Sequence, residues 1–301
     1  MAKRSLTWIG GIALAAVALA LVLIYAVRPA MQARIEKEMF VTRSEAKDTP
    51  ATLGTPFTAL VCMSGNRRLR AWLVDTDPNA PAVLIFHGNS TTMHDWAAAQ
   101  VYLARHGLSS MTFDYSGFGE SDGQATVGNL DQDAGAAYDC FVRAVGRERA
   151  KFVVGHSLGT AVLLHNARRF SPAPLGIATY GTFNSARALV LYLGAPSWWT
   201  YLTADVWNNV ADARRIRLPL LVVAGANDTN VPPIMGRQVA IAAPHGDFKL
   251  VWDAGHDDIY GDRPEKVWGP ILDFMNARLK ESRRPGPQIT PAAVFLPDGV
   301  K

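Results

Sequence analysis

Lys151-Phe-Val-Val-Gly-His-Ser-Leu-Gly-Thr160 decides the fold. Lys151 to Val154 reads as a buried strand and Thr160 to Arg169 as a helix, with Gly155-His156-Ser157-Leu158-Gly159 at the junction. Gly-x-Ser-x-Gly between a strand and a helix is the signature of a nucleophile elbow. So tight a turn leaves no room for side chains at Gly155 and Gly159. It holds Ser157 exposed on a strained backbone and aims the first N–H groups of the helix at charge developing beside the hydroxyl. The pattern alone also fits an ordinary glycine-rich turn, so its flanks and partners must carry the reading.

Outward from that stretch the chain alternates. Phe57–Met63 and Leu69–Val74 are β-rich runs joined through Ser64-Gly65-Asn66, which reads as a hairpin. Ala82-Val-Leu-Ile-Phe86 is continuously apolar, as befits a strand covered on both faces. Helix 93–106, strand 108–114, helix 129–147, strand 151–155, helix 158–169 and strand 175–180 follow. After an interruption come strand 218–224, a helix at 233–243, strand 248–252 and a helix at 264–280. This order predicts an α/β fold with a mostly parallel sheet and helices on both faces. The interruption, 182–217, carries Tyr192, Trp198, Trp199, Tyr201 and Trp207. It reads as a small helical cap whose aromatics either line an acyl pocket or simply bury themselves against the main domain.

Serine attack needs a base for the hydroxyl proton and an acid to orient that base, met in the order serine, acid, histidine at strand ends. Three histidines follow Ser157. His165 lies inside the next helix, and His245 sits in a turn before a strand. His256, in Ala254-Gly-His-Asp-Asp258 after a strand, is the expected base. Asp228 ends the strand 218–224 in Gly225-Ala-Asn-Asp228 and is the expected acid; a turn-forming aspartate is the plainer explanation of the same residue. Asp257 and Asp258 share the histidine's loop and cannot readily reach its far nitrogen. The oxyanion hole then falls to the backbone N–H of Leu158 and that of Asn89, in His87-Gly88-Asn89 after the strand ending at Phe86. His87 and His156 read as structural.

The 301 residues are 49% hydrophobic and 19% charged, with a formal net charge of +4. That balance and the scattered basic residues argue against a nucleic-acid partner. No cofactor or metal pattern is present, and Cys62 and Cys140, far apart without metal spacing, read as buried free thiols. Leu6 to Val27 is an almost unbroken apolar run, flanked by Lys3 and Arg4 and carrying Trp8 and Tyr25 near its ends. As a helix it would measure roughly 33 Å, enough to cross a bilayer core. It is too long for the usual signal-peptide core and lacks a small-x-small site after it. The domains expected are therefore a transmembrane anchor (1–30), a linker (31–56), a catalytic domain (57–280) and a disordered tail (281–301). The charges flanking the span do not settle its orientation; a short N-terminal tail favours an inside N-terminus and an extracytoplasmic domain.

His87-Gly-Asn89, Phe113-Asp-Tyr-Ser-Gly-Phe-Gly-Glu-Ser121, Gly155-His-Ser-Leu-Gly159, Gly225-Ala-Asn-Asp228 with Val231-Pro232, and Ala254-Gly-His256 together resemble the α/β-hydrolase superfamily, and within it the Bem46-like serine hydrolases. The resemblance covers roughly 57–280 and implies the α/β-hydrolase fold, the Ser157–Asp228–His256 triad, a loop at Asp114 bordering the site, and a membrane segment. It departs at His156, where close relatives often carry another polar residue. The expected function is a membrane-anchored serine hydrolase acting on a small-molecule or lipid acyl ester. Peptidase or protein-thioesterase chemistry on the same triad, and a catalytically silent interaction module, stay open.

Overall fold

The computed structural model describes residues 39–197, 206–261 and 263–284, with isolated positions 18, 22, 26, 30, 34 and 36 before them. The apolar run 6–27, apart from three isolated positions, lies outside the described residues, as do 198–205 with Trp198, Trp199 and Tyr201, and most of the tail. Among the described residues no helix is long and apolar enough to cross a membrane.

Eight strands form one sheet: β1 (Thr58–Ser64), β2 (Arg67–Val74), β3 (Ala82–Phe86), β4 (Ser109–Phe113), β5 (Lys151–His156), β6 (Gly176–Tyr180), β7 (Leu220–Gly225) and β8 (Gly246–Val251), in the order β1-β2-β4-β3-β5-β6-β7-β8. β1 and β2 pair antiparallel, as do β2 and β4; every later pairing is parallel. The helices are α1 (Ala97–Arg105), α2 (Val127–Val145), α3 (Leu158–Asn166), α4 (Ala186–Tyr192), α5 (Asn209–Ala213), α6 (Pro233–Ala242) and α7 (Glu265–Ser282). α1 begins four residues later than the apolar pattern suggests, because the Asp95 carboxylate accepts the N–H of Thr92 at 2.7 Å and holds the preceding residues in a turn.

The alternating side chains of the central strands feed two separate cores. Leu84, Phe86 and Val153 pack with α2, α3, α5 and α6 on one face, while Val83, Ile85, Phe152 and Val154 pack with α1 and α7 on the other. That double coverage is why β3, β5 and β7 read as unbroken apolar runs. Lys151, a charge at the start of a buried strand, satisfies its ammonium on the carbonyls of Arg147 and Arg149, at 2.6 and 2.7 Å.

One expectation is overturned. Cys62 and Cys140 are not free thiols: they form a disulfide between edge strand β1 and α2 across 78 residues of sequence. α2 packs directly on β1, and that packing brings the two sulfurs together. Residues 39–48, in the stretch read as a linker, lie against the domain through hydrogen bonds to Asn89, Ser90, His94, Asp95 and Gly119.

β3 is followed by β4 on one side and flanked by β5 on the other, so the connections leave the sheet in opposite directions at β3 and β5. A crevice outside the C-terminal ends of the strands is expected at such a point. His87–Ser90 follows β3 there, and Ser157 follows β5.

Candidate active site

Ser157 sits between β5 and α3 at φ 49°, ψ −116°, a region few L-residues adopt. The backbone is held by its own neighbours: the Ser157 N–H donates to the Tyr180 carbonyl at 3.0 Å, and the Thr160 N–H and hydroxyl donate to the Ser157 carbonyl at 3.0 and 2.7 Å. Gly159 permits the elbow. A Cβ there would lie 2.1 Å from the carbonyl oxygen of Phe86 in the adjacent central strand. α3 starts at Leu158, so its first amides open beside the serine.

The loops after β7 and β8 interlock. The Asn227 N–H donates to the Ala254 carbonyl at 2.9 Å and the Ala226 N–H to the Val251 carbonyl at 2.8 Å. Within that junction His256 Nδ1 donates to Asp228 Oδ2 at 2.7 Å. Asp228 Oδ1 accepts the N–H groups of Asn230 and Val231, at 2.9 and 2.8 Å. The buried carboxylate thus takes donors on both oxygens. An ionised carboxylate only accepts, so the proton on Nδ1 is fixed and His256 Nε2 is left as the basic nitrogen. Gly181, at φ 63°, clears space for the ring: a Cβ there would lie 2.9 Å from His256 Cε1.

Ser157, Leu158, Asn89 and His256 line one cleft of about 540 Å³, a size usual for a small-molecule site. Asp228 lies behind His256, buried. His165 is elsewhere, against Asp212 and Asp131 on the cap side. Asn89 has a second occupation: its side chain accepts from the Val41 N–H at 2.9 Å and donates to the Met39 carbonyl at 2.9 Å.

Two buried histidines brace the site. His156 Nε2 donates to the His256 carbonyl at 3.0 Å, and the two rings lie 4.8 Å apart. Burial keeps His156 neutral, its pKa pushed well below the usual imidazole value. His87 Nδ1 donates to the Gly88 carbonyl at 2.8 Å, and burial lowers its pKa to about 4. Its Nε2 lies 3.5 Å from Asp114 Oδ1, whose carboxyl burial raises to about 7. Tyr180 also braces the base, its hydroxyl donating to the Gly255 carbonyl.

Among the described residues His156, His256 and Asp257 could each offer a metal one ligand atom within 4.8 Å of the others. One nitrogen of each ring is already engaged, His156 Nε2 by a carbonyl and His256 Nδ1 by Asp228.

One wall of the cleft is apolar, while Thr91, Asp95, Asn230, Asp257 and Tyr260 give it polar groups elsewhere. Ala186, Leu189, Val190 and Leu193 form an i, i+3, i+4, i+7 stripe on and just after α4 and face it. Phe183, Val231 and Trp207 join them, Trp207 anchored through Nε1 to Asp131 Oδ1 at 3.0 Å. Of the cap aromatics read either as pocket lining or as core, Trp207 lines the cleft, while Tyr192 is half exposed and its hydroxyl donates to the Thr229 carbonyl. Met39 and Phe40 also line the cleft. Two adjacent large apolar residues in a mostly charged stretch are the one mark they leave in the sequence.

The profile of the α/β-hydrolase fold matches residues 81–186. An uncharacterized protein of Mycobacterium tuberculosis, Rv2307c, is 31% identical over 207 residues, 68% of this chain and 71% of that protein. The chain belongs to the α/β-hydrolase family. The uncharacterized membrane protein YNL320W of Saccharomyces cerevisiae is 25% identical over 241 residues, 76% of this chain and 82% of its own. The lysophosphatidylserine lipase ABHD12 of Rattus norvegicus is 29% identical over 203 residues, 60% of this chain; the match spans about half, 51%, of that protein. YNL320W and ABHD12 are members of the Bem46-like branch of the hydrolase family. Among solved structures the Pyrococcus furiosus esterase Pf2001 superposes with a TM-score of 0.62 at 19% identity, over 79% of this chain and 97% of its own, a likeness of fold.

Proposed function

We propose that this α/β-hydrolase is a membrane-tethered serine hydrolase that cleaves a carboxylic ester with an apolar acyl chain. The observation that carries the proposal is the 2.7 Å His256–Asp228 bond in a cleft whose wall presents Ser157 on a strained elbow. Ser157 Oγ attacks the acyl carbonyl carbon as His256 Nε2 takes its proton, and Asp228 holds the resulting imidazolium. The N–H groups of Leu158 and Asn89 receive the oxyanion. The tetrahedral species expels the alcohol, protonated by His256, and leaves Ser157 acylated. Water, deprotonated by His256, then releases the acid and restores the serine.

The apolar stripe of α4 with Phe183, Val231 and Trp207 supports a hydrocarbon acyl group, and the name of the relative ABHD12 supports a single-chain lipid such as a lysophospholipid or monoacylglycerol. The apolar run 6–27 and the membrane-protein relative YNL320W support the tether. The Cys62–Cys140 disulfide supports an extracytoplasmic domain, because such bonds persist on the oxidising side of a membrane.

Two measurements test this. A fluorophosphonate probe should label the protein and fail to label Ser157→Ala; an unlabelled wild type would end the serine-hydrolase reading. Among p-nitrophenyl esters of rising chain length, a preference for acetate over every longer chain would end the lipid reading.

A further inference from the structure

The chain enters the catalytic domain across its own cleft. Met39 and Phe40 line the cleft that holds Ser157 and His256. The Phe40 ring lies 6.3 Å from both Phe118 and Trp207, edge-on to each. The segment is fastened residue by residue. Asn89 binds the Met39 carbonyl and the Val41 N–H, the Ser90 N–H donates to the Val41 carbonyl at 2.8 Å, and the Gly119 N–H donates to the Thr42 carbonyl at 3.1 Å. Beyond it, Ser44 Oγ donates to Asp95 Oδ1 at 2.7 Å. A passive tether has no need of so many bonds to the loops around the cleft. This one is clipped by the loop whose Asn89 N–H faces the reacting carbonyl in the hydrolase reading.

We propose that residues 39–44 are a wall of the acyl site, with Met39 and Phe40 as specificity-determining residues and the Asn89 side chain as the positioning group that ties this wall to the oxyanion loop. The inference rests on the hydrolase reading and adds where the acyl chain lies: between Met39 and Phe40 on one side and the α4 stripe with Trp207 on the other. The apolar run ends at Val27, only a dozen residues before Met39. The substrate class that fits is an amphiphile with one apolar chain, taken up at the side of the domain where the chain leaves it for the membrane.

The test uses the full-length protein in detergent micelles and the ratio of kcat/KM for p-nitrophenyl dodecanoate to that for the butyrate. Phe40→Ala removes one wall and should lower the ratio by about tenfold or more, the scale on which an apolar pocket discriminates by a single methylene. Phe40 also touches the core, so a second variant guards against misfolding: Met39→Trp, at a half-buried position, narrows the cleft and should move the optimum to shorter chains. Asn89→Ala should lower the same ratio, and Asn89→Asp, which keeps the bond to the Val41 N–H, should restore part of it. Wild-type chain-length profiles in Phe40→Ala and Met39→Trp, with fluorophosphonate labelling of Ser157 intact, would overturn this proposal while leaving the hydrolase reading standing. Loss of labelling in the wild type itself would overturn both.

Discussion

Gly159→Ala is the most direct challenge to the elbow. The added Cβ would sit 2.1 Å from the Phe86 oxygen and 2.6 Å from that of His87, against 3.4 Å for ordinary contact. The obstacles are backbone atoms at the end of β3, which is hydrogen-bonded on both sides, so neither can swing away as a side chain would. Overpacking a core commonly costs about 1–3 kcal/mol, and an obstacle of this kind belongs at the upper end. For a domain of this size that is a fall in Tm of roughly 6–12 °C. α3 must also draw back from β3 by about an ångström, taking the Leu158 amide with it, and misplacement on that scale costs about 100-fold in rate. Thermal melts and the rate of fluorophosphonate labelling read the two effects separately. Gly135→Ala in α2 is the control. Apart from its own helix backbone, nothing lies within 4 Å of its added Cβ, and removing a mid-helix glycine should stabilise by about 0.5–1 kcal/mol. A Gly159→Ala protein that melts and labels like the wild type would refute the account of the elbow.

Three more outcomes are expected. Asp228→Asn keeps the shape but removes the carboxylate that fixes the His256 tautomer, so kcat on p-nitrophenyl butyrate should fall on the order of 10⁴-fold, as in a comparable serine-protease triad; a fall under tenfold would remove Asp228 from the reaction. Replacing both Cys62 and Cys140 with serine should lower the unfolding free energy by about 4 kcal/mol, since the bond closes a long loop; alkylation of two thiols in wild-type protein unfolded without reductant would contradict the bond. The buried pair His87 and Asp114, at about 4 and about 7, holds one proton in the native state between those values. The unfolded pair also holds one, on the histidine, up to about pH 6.5, so its contribution to stability is flat from about pH 4 to 6.5. Asp114→Asn leaves His87 alone, binding fewer protons folded than unfolded in that window. Stability should then rise by about 2 kcal/mol more than in the wild type between pH 4.5 and 6.5. Urea unfolding at the two pH values checks this, and equal slopes in both proteins would refute it.

The sequence by itself determined whatever depends on neighbours along the chain. β3, β5 and β7 were legible because strands covered on both faces must be apolar at every position, and the elbow because only glycine fits beside Ser157 at such spacing. Asp228 and His256 were proposed from sequence because each stands in the loop that follows a strand, β7 and β8, on the side of the sheet where the crevice opens. The tertiary structure decided whatever depends on which distant surfaces pack together. Two cysteines 78 residues apart carry no local mark of pairing, and only the seating of α2 on β1 joins them. His156 gave no sign that it would hold the His256 carbonyl, nor Asn89 that its side chain would bind the incoming chain. Phe40 lay in a charged stretch with no periodicity, and its place in the cleft comes from Phe118 and Trp207, brought beside it by folding. Local covalent geometry and burial pattern write themselves into sequence, whereas a contact between remote segments exists only once the whole sheet has formed.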